Sequence, residues 1–149
     1  MFNPSREQVR QFFCESWRKY RQRDILEGAE ATAADLIAEH PEYHALLDNP
    51  AVAVAQEFTP ENGQMNPFLH LSLHLAIAEQ VSIDQPPGIR AAYWTLRRRL
   101  EVHDAEHALI ECLGEALWSA QRQGRDIDQR MYIESIERQA ARAGNPSIW

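Results

Sequence analysis

Hydrophobic residues recur every three to four positions along most of the chain, which is the spacing of an amphipathic helix. In the first helix that this predicts, Val9, Phe12, Phe13 and Trp17 form one stripe, and basic residues such as Arg10 occupy the other face. No segment shows a convincing alternation of apolar and polar residues with a period of two, which is the pattern of a half-buried strand. The pattern therefore predicts an all-α fold.

Prolines and glycines mark where the predicted helices end. A helix from Ile25 should end at His40-Pro41, because the residue before a proline is pushed out of the helical conformation. Residues 89–123 are helical in pattern, with a break near Val102 or Asp104. The remaining breaks are predicted at 48–50, 59–63, 84–88 and 124–126, before a last helix at about 127–142. The prediction is a single all-α domain over 1–149, a helical bundle of five to seven helices with a short flexible tail at about 144–149.

The segment NPFLHLSLHLAI, residues 66–77, differs from the other predicted helices because it has no polar face. Asn66 is a typical N-cap and Pro67 is favoured at the first helical position, so a helix is predicted from Pro67 to about Val81. A helix that is apolar on all sides is usually buried by its neighbours. Two histidines inside such a helix therefore need either hydrogen-bond partners or a ligand.

All six histidines of the chain occur in pairs four residues apart, whereas a random order would give on the order of 0.2 such pairs. On a helix this spacing places two imidazoles on one face, about 5–6 Å apart, where both can bind one metal ion. His70 with His74 and His103 with His107 lie in predicted helices and are the predicted metal ligands. His40 with His44 is a weaker pair, since Pro41 accounts for the local sequence without a metal.

Two carboxylates extend the predicted site. Glu111 continues the His103–His107 row and Glu106 neighbours His107, so either can be a ligand or can orient an imidazole. Histidine and carboxylate ligands suit zinc or iron, and no other cofactor is predicted. The prediction is a metal site between two buried helices, with no catalytic residue assigned. The alternative is a non-enzymatic interaction or adaptor protein whose paired histidines form a structural hydrogen-bond network.

HDAEH, residues 103–107, also matches the H-x-x-E-H pattern of some zinc peptidases. That chemistry needs a third ligand from a later helix, for which Glu134 and Glu137 are available. The match is short, the chain is small and the loops suggest no substrate cleft, which argues against a peptidase.

The composition is that of an ordinary soluble globular protein, with 44% hydrophobic and 25% charged residues among 149. No apolar run approaches the roughly 20 residues of a membrane span, and the first residues lack the apolar region of a signal peptide, so a cytoplasmic location is expected. The net charge of −7 argues against nucleic-acid binding by the whole surface.

Two short segments, 18–23 and 97–99, concentrate basic residues near tryptophan and tyrosine. These are the side chains of a nucleic-acid surface, but a solvated helix face with its aromatic side chains in the core is the simpler interpretation. Nucleic acid is therefore an unlikely partner in the sequence interpretation. A homo-oligomer, or a protein partner bound through the basic 6–23 helix or the Ile148-Trp149 tail, is the remaining expectation.

Several stretches resemble a proteobacterial family of uncharacterised small proteins, the domain of unknown function eighteen forty-one. They are MFNPSREQVRQFFCESWRKYR, HPEYHALL, NPFLHLSLHLAIAEQVSIDQPPGIR and HDAEHALIECLGEALWSAQR, of which SIDQPPGIR and AEHALIECL are the most specific. The resemblance covers nearly the whole chain. It implies a single-domain, bacterial, cytoplasmic protein and carries no activity with it.

Overall fold

A computed structural model describes residues 5–58 and 66–143. These residues form helices and contain no strand, so the all-α prediction is confirmed. They hold eight α-helices and one short 3-10 helix, because 41–55 folds as three short pieces. The elements are α1 (Arg6–Arg21), α2 (Ala29–Ala38), the 3-10 helix (Pro41–Tyr43), α3 (His44–Leu47), α4 (Pro50–Ala55), α5 (Pro67–Ile83), α6 (Ile89–Arg97), α7 (Val102–Gln123) and α8 (Gln129–Ala143).

The contacts between residues divide the chain into two compact units, Met1–Leu75 and Ala76–Trp149. The prediction that 1–149 is a single domain stays a prediction. Among the described residues, no helix combines the length and the apolar character needed to cross a lipid bilayer. The predicted turn at 59–63 and the predicted tail at 144–149 lie outside the described residues.

The core of the first unit forms between α1 and the helices that follow it. Ser5 begins α1 with a capping box, in which its hydroxyl accepts from the Gln8 amide and the Gln8 side chain accepts from the Ser5 amide. The apolar stripe of α1 packs on α2 and on the start of α5. The buried residues of this core include Phe13, Cys14, Trp17, Leu36, Ile37, Leu47, Phe68 and Leu71. The amphipathic prediction for α1 is therefore confirmed.

Arg10 departs from this pattern, because the sequence analysis placed it on the solvated face and the structure buries it to 2% exposure. Its Nη1 donates to the carbonyl oxygens of Ala53, Val54 and Gln56 at 3.0, 3.2 and 2.6 Å. These carbonyls lie at the end of α4, where no helical amide is available to them. Arg10 therefore caps a short helix that lies more than 40 residues away in sequence.

The other basic side chains near the end of α1 form ion pairs within the first unit. The pairs are Arg18 with Glu15 and Asp24, Lys19 with Glu30, and Arg21 with Asp48, at 2.5, 3.2, 2.9 and 2.7 Å. Such surface pairs stabilise a fold by only about 0–1 kcal/mol each. They do cancel much of the positive charge of α1. The expectation that the 6–23 helix contacts a partner stays a prediction.

The second unit packs α6 and α7 against α8. Its buried side chains include Ile89, Leu96, Leu109, Cys112, Leu113, Tyr132 and Ile136. The hydroxyl of Tyr132 donates to Oε1 of Gln80 at 2.7 Å, which ties α8 to the second half of α5. Helical spacing predicts that Leu109, Cys112, Leu113, Leu117 and Trp118 form a core stripe on α7. The prediction is confirmed at the first three, which are buried, and is wrong at Leu117 and Trp118, which are 37% and 59% exposed.

Candidate metal site

His40 lies between α2 and the 3-10 helix, and its backbone is held out of the helical region (φ −123°, ψ 69°). The following Pro41 explains this conformation. The ring Nδ1 of His40 donates to the carbonyl oxygen of Leu36 at 2.7 Å, which occupies one of the last carbonyls of α2. Since Nδ1 carries the proton of a neutral ring, the buried Nε2 carries the lone pair that binds metals.

His70 and His74 lie one turn apart on α5. The helix begins as predicted, because Asn66 Oδ1 accepts from the amides of Phe68 and Leu69 at 2.9 and 3.3 Å. The Nε2 atoms of His70 and His74 are 3.2 Å apart, and one of them donates to the other. His74 is 2% exposed and His70 is half-buried. The predicted HLSLH pair therefore converges on one point.

His40 joins this pair within the first unit. Its ring centroid lies 5.2 Å from that of His70 and 5.0 Å from that of His74, and the His70 and His74 centroids are 4.7 Å apart. One ring nitrogen from each of the three residues lies within 4.8 Å of the other two. Two nitrogens bound to one tetrahedral zinc ion at 2.0–2.1 Å lie about 3.3 Å apart. The Nε2 atoms of His70 and His74 are therefore already that far apart. The distance from the His40 nitrogen to each of their nitrogens exceeds it by at most about 1.5 Å.

The three histidines have aromatic and apolar surroundings. The Tyr43 ring stacks parallel to the His40 ring at 5.5 Å and meets His70 edge-on at 6.3 Å. Burial raises the pKa of the Tyr43 hydroxyl above its usual range, and the nearby Glu42 charge adds to this shift. A buried site of this kind strengthens any charge–dipole interaction inside it.

His44, the second histidine of HPEYH, has a different environment. Its Nε2 donates to the carbonyl oxygen of Ile37 at 2.7 Å, and its ring stacks on Trp17 at 4.3 Å. These contacts fasten α3 to α1 and α2. The structural interpretation of the 40/44 pair therefore fits His44, whereas His40 belongs to the histidine cluster.

The remaining predicted ligands lie on α7 in the second unit. His103 and His107 have ring centroids 4.1 Å apart, as their spacing predicts. His107 and Glu106 are half-buried, while His103 and Glu111 are exposed. The Glu106 charge adds to burial in raising the pKa of Tyr93 on α6. That His103, His107, Glu106 and Glu111 share a metal with α5 stays a prediction.

The family model described as Domain of unknown function (DUF1841) matches residues 5–138. The chain belongs to the DUF1841 family. This confirms the resemblance seen in the sequence, and all six histidines of this DUF1841 chain lie within the matched residues. No curated protein and no solved structure matches the chain. The function of this DUF1841 chain is therefore argued from its own residues.

The sequence analysis left open whether His40 joins the site. Helical spacing relates residues of one helix only, and His40 belongs to a turn that tertiary packing brings to α5. The sequence signal for His40 is its pairing with His44 four residues later, since three such pairs are many more than a random order of six histidines gives. The proline after His40, which weakened that pair as a helical motif, is what places its ring at the end of α2.

Proposed function

We propose that this DUF1841 protein binds a divalent transition-metal ion through His40, His70 and His74. The observation that carries the proposal is the convergence of three ring nitrogens within 4.8 Å in a region where His40 and His74 are 3% and 2% exposed. Imidazole is the commonest metal-binding side chain. A group of three imidazoles at this spacing matches the protein ligand count of many zinc sites.

The hydrogen bond from His40 Nδ1 to the Leu36 carbonyl supports this proposal. Metal-binding histidines usually donate their second ring N–H to a carbonyl or carboxylate, which fixes the ring and its tautomer. The same arrangement at His40 leaves Nε2 as the donor atom for a metal. Between His70 and His74, a metal ion would take the place of the proton that their Nε2 atoms now share.

The donor set favours zinc or iron among the common metals. Neutral imidazole suits zinc, iron, copper and nickel, whereas magnesium and calcium prefer oxygen. Three protein ligands leave one tetrahedral position for water, where the ion acts as a Lewis acid. A fourth protein ligand would close the site and make it structural. Whether His103 or His107 also binds the ion stays a prediction from the sequence.

The test is elemental analysis of the untagged full-length protein, purified without chelator and again after incubation with Zn²⁺ or Fe²⁺ and dialysis. We expect about one metal ion per chain in the wild type and a loss of at least tenfold in His40→Gln and in His74→Gln. His44→Gln is the matched control, because it lies in the same HPEYH segment and has a structural role. It should keep the metal.

The fourth ligand is tested separately with His107→Gln and His103→Gln. Reduced metal affinity in either variant would identify that histidine as a further ligand, and unchanged affinity in both would leave three ligands. The proposal fails if the wild type holds no metal after incubation, or if His74→Gln binds as much as the wild type while circular dichroism shows both folded.

The competing function is that of an interaction protein in which the histidines are structural. The N–H···N hydrogen bond between His74 and His70 favours it, since a buried pair of this kind stabilises a fold without a metal. Metal-free wild type, together with a lower denaturation midpoint in His74→Gln, would support this alternative.

A further inference from the structure

The segment 85–100, which contains α6, has a charge opposite to that of the whole protein. It carries four arginines and no acidic residue, leaving 11 of the 15 basic residues against all 22 acidic residues elsewhere. At physiological salt, charges interact over a Debye length of about 8 Å. The segment that contains α6 is therefore positive along the sequence of an acidic protein, with Asp84 and Glu101 at its two ends.

The exposed face of α6 combines two of these arginines with a tryptophan. Arg90, Trp94 and Arg98 follow one another at intervals of four residues, which places them in one row along the helix. All three are exposed, and Trp94 is 53% exposed. At 1.5 Å per residue the row is about 12 Å long. The simpler interpretation of the sequence, with the aromatic side chains in the core, is wrong for Trp94.

The positive charge of this row differs from that of α1, where Arg18, Lys19 and Arg21 are paired with carboxylates. The guanidinium of Arg90 donates to the carbonyl oxygens of Val81 and Ser82 at 3.0 and 2.6 Å. Backbone carbonyls carry no net charge. These bonds therefore hold the side chain in place without an ion pair, while the Asp84 carboxylate, which accepts from the Arg90 amide at 3.0 Å, lowers the net charge at this end of the row.

We propose that the α6 face formed by Arg90, Trp94 and Arg98 binds single-stranded nucleic acid. Arginine guanidinium groups bind phosphate oxygens, and a base that is not stacked in a duplex can stack on the exposed indole. A row with one aromatic side chain between two arginines fits a base with the phosphates on either side of it.

The charge of the rest of the chain favours a short single strand over other polyanions. A duplex or an anionic membrane is rigid or extended, so it would also approach the acidic surface outside α6 and be repelled. In a duplex, moreover, the bases are stacked on each other and are closed to Trp94. A strand of a few nucleotides can follow one helix. This proposal is independent of metal binding.

Fluorescence anisotropy of a labelled 12-nucleotide oligouridine with the full chain tests it. We expect saturable binding at 50 mM salt that weakens about sevenfold at 200 mM, the value for two phosphate contacts to a single strand. Trp94→Ala should weaken binding about 5- to 150-fold, the range for loss of one base–aromatic stack. Arg98→Gln should lower the slope of log affinity against log salt by about 0.7.

Trp118→Ala is the matched control. Trp118 is also exposed and has the Arg122 guanidinium 4.5 Å above its ring, but Glu111 and Glu115 precede it on α7. It should leave binding unchanged. The proposal is overturned if the oligouridine does not bind at 50 mM salt, if Trp118→Ala and Trp94→Ala weaken binding equally, or if a duplex of the same length or vesicles containing phosphatidylserine bind more tightly than the single strand.

Discussion

Replacing Arg10 with methionine should destabilise the first unit strongly, although the sequence suggests a surface arginine. Methionine keeps most of the apolar stem that lies between Phe58 and Phe68, whose ring centroids are 5.5 and 5.0 Å from the guanidinium carbon. It removes the three hydrogen bonds to the end of α4. The change therefore isolates the charged head from the packing of the side chain.

The size of the loss follows from what the carbonyl oxygens can do without Arg10. The bond to the Ala53 carbonyl is buried, and leaving a buried acceptor unpaired costs about 1–3 kcal/mol. The Val54 and Gln56 carbonyls are partly accessible, so water can replace most of their bonds. Loss of the cation–π contacts adds about 1 kcal/mol. The cost of dehydrating the Arg10 guanidinium on folding is already included in the free energy of unfolding of the wild type. We expect a total of about 2–4 kcal/mol.

Urea denaturation followed by circular dichroism measures this loss. With a slope of about 1–3 kcal/mol/M, the midpoint of Arg10→Met should fall by about 1–2 M. Arg6→Met is the control, because the exposed Arg6 donates to the same Gln56 carbonyl at 3.3 Å and should change stability by less than about 0.5 kcal/mol. Equal, small effects of the two substitutions would refute the reasoning.

Three further predictions concern the second unit. Tyr132→Phe removes the hydrogen bond to Gln80 and should cost about 1 kcal/mol at neutral pH. Burial raises the pKa of Tyr132 far above the usual value of about 10 for a tyrosine. The wild type should therefore lose stability as pH rises above about 10, by up to about 1.4 kcal/mol per pH unit from this group, and the variant should lose less. Equal alkaline slopes would contradict this. Gly88→Ala should cost about 1–2 kcal/mol in chemical denaturation, because Gly88 has φ +99°. Gly114→Ala should instead stabilise by about 0.5–1 kcal/mol, since Gly114 is helical and a Cβ there meets no atom within 4 Å. A Cβ at Gly88 also meets no atom within 4 Å, so equal losses at the two glycines would contradict the role given to backbone conformation.

The sequence predicts the helices well where their ends carry local signals. Asn66-Pro67 begins α5 as expected, and Ser5, a residue type favoured at helix N-termini, caps α1. The helix expected from Ile25 begins only at Ala29, because Gly28 before it has a positive φ of +54°. Caps and turns act over a few residues, which is why a single sequence reveals them.

The candidate site is less accessible to sequence reasoning, since its geometry depends on tertiary packing. The spacing of His70 and His74 predicts their convergence, because both lie on one helix. His40 and Arg10 are different. The first reaches the cluster from a turn and the second reaches across to α4, so the partner of each is set by how helices pack. Helical periodicity even indicates the wrong environment for Arg10.

The three short helices between His40 and Phe58 have a consequence for hydrogen exchange. Helices of three to six residues are not stable alone, and here side chains of α1 hold them, through Trp17 to Asp48 at 2.9 Å and through Arg10 to the end of α4. Their amide protons should therefore exchange together, when the whole segment separates from α1. Because His40 begins this segment, a ligand held by the histidines would slow exchange in α4, a helix that contributes no atom to the site.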